Sequence, residues 1–205
     1  FSGSTIPGAR QQSQAADKVI HAKGMTVMPG IIDVHAHIQF SRAGKVMPKD
    51  YAYKLWLVHG ITTIRDPGSM EGIDTIVAHA RLSADNKISA PTIIPYAVAG
   101  ANTPDEAHAL VRRLKQQGAA GLKVFINRPD VWEAIADEAK KQGLPIATDM
   151  KIQELDAIGA SRLGVRSIEH WYGIPDAATP GPQNFPDSYN YDNELDRFRW
   201  AGDIW

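Results

Sequence analysis

Two histidines one residue apart carry the strongest chemical signal in this sequence. His35 and His37 close the run Pro29-Gly30-Ile31-Ile32-Asp33-Val34-His35-Ala36-His37. In an extended strand, side chains two positions apart share a face at a spacing of about 6.6 Å, so two imidazoles can converge on one ion. Neutral imidazole binds Zn²⁺ and similar borderline cations at roughly 2.0–2.1 Å. A hydrogen-bonded pair of core histidines is the bland alternative, and the apolar lead-in weights metal binding above it. Arg65 and Asp66 end another apolar run, where they could touch a substrate or form a structural pair. Trp171 and Tyr172 follow His170 and could wall a pocket or simply pack. His21, His59, His79 and His108 fall on expected surface elements and read as solvated. The sequence shows no Gly-rich phosphate loop, Gly-x-Ser-x-Gly elbow or His-Glu-x-x-His helix.

Composition narrows the chemistry further. The 205 residues are 43% hydrophobic and 22% charged, enough for one globular domain with a core. Twenty-two basic residues against 23 acidic ones leave a formal net charge of −1, which gives no electrostatic case for nucleic acid or an anionic membrane. Cysteine is absent, so disulfides, thiol nucleophiles and zinc ribbons are excluded. No apolar run approaches the roughly 20 residues that span a bilayer. Phe1 is not an initiator methionine and reads as an internal start, so location is weakly constrained, with the cytoplasm favoured.

The elements that must hold these residues alternate. β-branched runs bounded by Gly, Pro or Asp predict strands over 30–37, 61–66, 92–98, 121–126, 144–148 and 165–169. Helices are expected near 48–59, 70–85, 104–117, 130–142 and 151–163. The third places Ala107, Leu110, Val111 and Leu114 on one face behind a Thr103-Pro104 start. The fourth places Val131, Ile135, Ala136 and Ala139 together and stops at Gly143. Apolar strands separated by helices imply a parallel sheet covered by helices, either a barrel or an open doubly wound sheet. Prolines at 175, 180, 182 and 186 predict an irregular stretch over 173–190, followed by an amphipathic helix through Tyr191, Leu195, Phe198 and Trp205.

Four segments, in order, resemble the metal-dependent amidohydrolase superfamily, in particular its imidazolonepropionase-like and Xaa-Pro dipeptidase-like branch. Lys18–His37 is similar to the last sandwich strand feeding barrel strand one. Gly60-Ile61-Thr62-Thr63-Ile64-Arg65-Asp66 resembles strand two, Gly118–Phe125 strand four, and Ser167-Ile168-Glu169-His170 strand six. The resemblance implies an α/β fold, a partial TIM-type (β/α) barrel of about six of eight units with a remnant of the N-terminal β-sandwich. It divides the chain into a lead at 1–28, an incomplete barrel at 29–173, and a Pro-rich loop with a terminal helix at 174–205.

The same resemblance implies one or two divalent ions, zinc first, with Mn, Fe, Co or Ni as alternatives. His35 and His37 would hold the more buried ion and His170 the second. Lys123 would be the strand-four lysine that bridges both ions when carboxylated, a reaction needing the neutral amine that burial favours. Asp149 stands where the family places its strand-five histidine; it could ligate metal or be a solvated turn residue. The family's strand-eight aspartate has no counterpart, so the chain is expected to be truncated after unit six.

The implied activity is hydrolysis of a C–N bond in an amide, peptide or cyclic amide, with Lys123 and Asp149 as catalytic groups. Arg65, Trp171 and Tyr172 are the substrate-side candidates. Loss of a positioned proton acceptor costs about 10²–10⁴ in rate, so Asp149 or a partner chain would have to substitute. Two other classes stay open: an inactive metal- or ligand-binding fragment, and a desolvated Lys123 forming Schiff bases with an aldehyde or pyridoxal cofactor. Open strand edges predict a homo-oligomer, for instance by exchange of the terminal helix.

Overall fold

The computed structural model describes residues 20–48, 50–125, 128–149, 155–178, 187–190 and 193–204. The lead through residue 19, the start of the helix expected at 151, the stretch 179–186, and Tyr191 and Trp205 lie outside them.

Six parallel strands form one curled half-barrel: β1 (Ile31–Asp33), β4 (Ile61–Asp66), β5 (Thr92–Ala99), β6 (Gly121–Val124), β7 (Ile146–Thr148) and β8 (Ser167–Ile168), hydrogen-bonded in that order. Between them run α1 (Tyr51–Val58), α2 (Ile73–Ala84), α3 (Pro104–Gln117), α4 (Pro129–Gln142) and α5 (Ala157–Arg162). The fold is thus the partial TIM-type barrel, not the open doubly wound sheet. A short hairpin of β2 (Ser41–Arg42) and β3 (Lys45–Val46), unanticipated from sequence, interrupts the first crossover. Among the described residues no helix is long and apolar enough to cross a membrane.

α3 matches its expected bounds because its signals are local. Thr103 Oγ1 accepts the Glu106 N–H, Pro104 occupies the first turn, and Gly118 closes the helix at φ 99°. Ala107, Val111 and Leu114 are buried, and Leu110 packs against the same core. α4 brings Val131, Ile135, Ala136 and Ala139 into that cluster around Trp132. Glu138, buried between the two helices, accepts from Arg112 and Gln142 and pairs with His108, so His108 is not merely solvated. A second cluster joins Ile38, Phe40, Tyr53, Ile64, Ile76 and Ile93. His79 belongs here: its Nδ1 lies 2.8 Å from the Tyr53 hydroxyl and its ring packs on Phe40.

Three expectations fail. β1 is a three-residue edge strand rather than a buried run through His37, and its Ile31 and Ile32 are 50% and 61% exposed. Its pairing with β4 is irregular between Ile31 and Ile32, which ends the ladder at Asp33. β8 is likewise two residues, not five. The stretch after Gly173 is not wholly irregular: Ile174–Ala178 forms a short helix, α6, because Pro175 falls in a first turn that needs no donor there. The terminal helix α7 spans Glu194–Ile204.

Candidate active site

The C-terminal ends of the strands aim the candidate residues at one another. His35 and His37 follow β1 in non-strand backbone, yet their Nε2 atoms are 3.1 Å apart with rings nearly perpendicular. The His170 ring, beyond β8, lies 4.8 Å from that of His35. Lys123 projects from β6 and is 1% exposed. Asp149, at the end of β7, is buried with Oδ2 3.8 Å from His170 Nδ1, so it is not a solvated turn residue. Five candidates therefore meet, although they span most of the chain.

Two carboxylates complete the arrangement: Glu169, to which the motif reading gave no role, and Asp66, which it gave as a substrate contact or a partner of Arg65. Glu169 Oε2 lies 2.5 Å from His35 Nδ1, while Oε1 accepts from Arg65 Nη2 and the Ser167 hydroxyl. With Nδ1 engaged by Glu169, Nε2 is the His35 atom that faces His37. Asp66, at the end of β4, is wholly buried; its Oδ2 accepts the Ile38 N–H. Asp66 Oδ1 has no hydrogen-bond partner among the described residues and stands 3.8 Å from His37 Nδ1. A carboxylate at a strand end beside a histidine pair was the available signal for both.

The substrate-side candidates divide differently. Arg65 directs its guanidinium to the Val34 carbonyl, Ser167 and Glu169 and lies over the Tyr96 ring, so its donors are used within the protein. It does not pair with Asp66. Tyr172 is buried against Trp171 and near the His170 ring. Trp171 faces α7, where its ring meets Phe198 at 5.1 Å.

Electrostatics follow from this crowding. Burial lowers the Lys123 pKa, an effect Arg65 reinforces and Asp149 and Glu169 oppose. Burial, His35 and Lys123 lower His170, and burial, His35 and other neighbouring cations lower His37, so both rings favour the neutral, metal-competent form. Desolvation pushes Asp66 up to about 7 against the pull of hydrogen bonds from the Ile38 backbone, the Ser69 side chain and the Gly68 backbone. Burial would raise Glu169 as well, but hydrogen bonds from Ser167 and His35 with the charges of Arg65 and Lys123 hold it below the usual carboxylate range.

Among the described residues, no three His, Cys, Asp or Glu side chains close on a single point. The convergent set among the described residues is a histidine pair, a lysine, and a His–Asp pair.

No protein-family model matches the chain. It is 37% identical over 134 residues to adenine deaminase 2 of Latilactobacillus sakei, a match covering 58% of this chain and 22% of that protein. It is 34% identical over 130 residues to the adenine deaminase of Methanoculleus marisnigri, covering 59% and 24%. Among solved structures, a protein assigned as a prolidase from Bifidobacterium longum superposes with TM-score 0.49 at 23% identity, covering 59% of this chain and 35% of that one. A Xaa-Pro dipeptidase with bound methionine gives 0.48 at 21%, covering 68% and 47%. The likeness in sequence to these deaminases covers little more than half of this chain. Adenine deaminases are its curated relatives, and it spans less than a quarter of the length of those compared above.

Proposed function

We propose that this chain carries the metal-binding face of a hydrolase acting on C–N bonds of small molecules or peptides. The observation that supports it most is the 3.1 Å separation of the His35 and His37 Nε2 atoms. Two nitrogens bound to one tetrahedral ion at roughly 2.0–2.1 Å stand about 3.3 Å apart, so the pair fits a divalent cation with little movement. The buried Asp66 Oδ1 stands 3.8 Å from Nδ1 of the same His37 ring, close enough to orient it.

His35 and His37 would hold the first ion, His170 and Asp149 the second, with Lys123 between them. When bound, a divalent ion polarises the scissile group and acidifies attacking water. Glu169 keeps the His35 lone pair on Nε2 by accepting at Nδ1. Burial lowers the Lys123 pKa, which favours the neutral amine that carboxylation requires. Asp149 Oδ2 is placed to accept a proton beside His170. Arg65 fixes Glu169 rather than contacting substrate.

The test is elemental analysis of protein purified without chelator, beside the variant His35→Ala/His37→Ala, with hydrolysis assayed on purine bases and dipeptides with added Zn²⁺ or Mn²⁺. The expected result is metal in the parent only. Equal metal and equal activity in both proteins would remove the reading. Metal without turnover would support the binding-only alternative.

A further inference from the structure

The inward face of the half-barrel beside Lys123 is apolar and half open. Strand alternation decides which side chains form it. On β5 and β6, Ala97, Ala99, Leu122 and Val124 turn toward the helices and join the core around Trp132. Val98 and Lys123, register partners in the parallel ladder, therefore turn the other way, into the half-barrel. Lys123 is buried there, yet Val98 is 51% exposed. Phe125 follows one pleat further toward the C-terminal mouth; its ring centre lies 4.9 Å from Lys123 Nζ, and the residue is 44% exposed. Gly68 continues the surface toward the histidines. A Cβ there would fall 2.7 Å from Val98 Cγ2 and 3.8 Å from Lys123 Cβ, and its backbone is a hydrogen-bond partner of His37.

We propose that Val98 and Phe125 form a specificity wall for the apolar part of an amide substrate, an acyl chain or a large aliphatic or aromatic side chain next to the scissile C–N bond. The inference rests on the reading of Lys123 and the histidines as the reaction centre, and it names the substrate class of that site. Open hydrocarbon beside reactive groups is the ordinary lining of a ligand pocket, in which a few placed polar groups set orientation. The polar groups nearby favour an apolar ligand over a charged one. Arg65 directs its donors to Val34, Ser167 and Glu169. Arg128, just beyond β6, is held by Asp130 and the Asn102 carbonyl. Neither arginine is free to meet a carboxylate or a phosphate. A purine needs donors and acceptors along its edges, and two hydrocarbon side chains supply none.

Binding of acetamide, butanamide and hexanamide, with adenine as the polar counterpart, tests this on the purified protein through its ¹³C-labelled valine and phenylalanine signals. A fully buried methylene contributes about fourfold in affinity and one covered on a single side about twofold, so hexanamide should bind at least about tenfold tighter than acetamide. Adenine should leave the Val98 and Phe125 signals in place. Val98→Thr keeps the side-chain shape and adds a hydroxyl, while Phe125→Ser removes the ring. In the double variant hexanamide should bind within about threefold of acetamide, with circular dichroism showing the fold retained. Should the double variant unfold, Phe125→Ser alone serves the same comparison. A flat series in the parent, adenine binding tighter than hexanamide, or a full gradient in the folded variant would each overturn the proposal. Metal content of the same samples separates it from the reading beneath it. Bound metal with a flat series would overturn the wall alone. A gradient in a parent holding no more metal than His35→Ala/His37→Ala would overturn the reaction centre, and the substrate role with it.

Discussion

His35 Nδ1 and Glu169 Oε2 stand 2.5 Å apart, joining the residues beyond β1 to the end of β8 across 134 positions of sequence. No backbone pairing connects those two strands among the described residues, so this contact and the adjoining Arg65–Glu169 pair link the ends of the sheet through side chains.

Glu169→Gln should therefore destabilise the protein by about 3–5 kcal/mol, because Arg65 is left buried without its counter-charge. The sign with pH is fixed by the depressed folded pKa of Glu169. Its contribution is full above the unfolded carboxylate value of about 4.3 and is lost as pH falls through the lower folded value. Urea midpoints from neutral pH down to about 3 should show this acid limb in the parent and its attenuation in the variant.

His170 adopts φ 62°, a left-handed conformation that side chains rarely take. His170→Gly should relieve that strain and stabilise the metal-free protein by up to about 1 kcal/mol, after the greater freedom of glycine in the unfolded chain is offset. Chemical denaturation checks it. A less stable variant would show that the histidine sits there without strain.

Gly121→Ala should cost about 1–3 kcal/mol, since a Cβ there would sit 2.3 Å from the Tyr96 ring. Arg65 lies over that ring and limits its retreat. Adding Tyr96→Leu should make the pair cost less than the sum of the two single changes in a double-mutant cycle.

Zn²⁺ at 100 times its dissociation constant should stabilise the parent by about 2.7 kcal/mol, raising the melting temperature by roughly 5–10 °C. The shift should vanish in His35→Ala/His37→Ala and reverse with chelator. An equal shift in that variant would place the ion elsewhere.

How much of this was legible depended on distance along the chain. α3 was read to its ends because Thr103, Pro104 and Gly118 act within a turn of themselves. β4 was equally clear, being bounded by Gly60 and Asp66. β1 was misread because apolar composition resembles burial, whereas an edge position is decided by which strands stand beside it. Lys123 interrupts the apolar run Gly121–Val124, a local feature. The pairings of Glu169 with His35 and of Asp66 with Ile38 lie 134 and 28 positions apart, so no local pattern encodes them. For Arg65, whose sequence left substrate contact and a structural pair both open, the partners Ser167 and Glu169 come from the far end of the sheet and no local pattern names them.

The imidazole pair hangs from the least protected strand of the sheet. Three residues long and half bare to water, β1 can fray without the helical core letting go. Exchange of a bound ion would then be timed by local peeling, and the amides of Ile31–Asp33 should trade their hydrogens well ahead of those in β6. Affinity and residence time would be governed by different parts of the molecule.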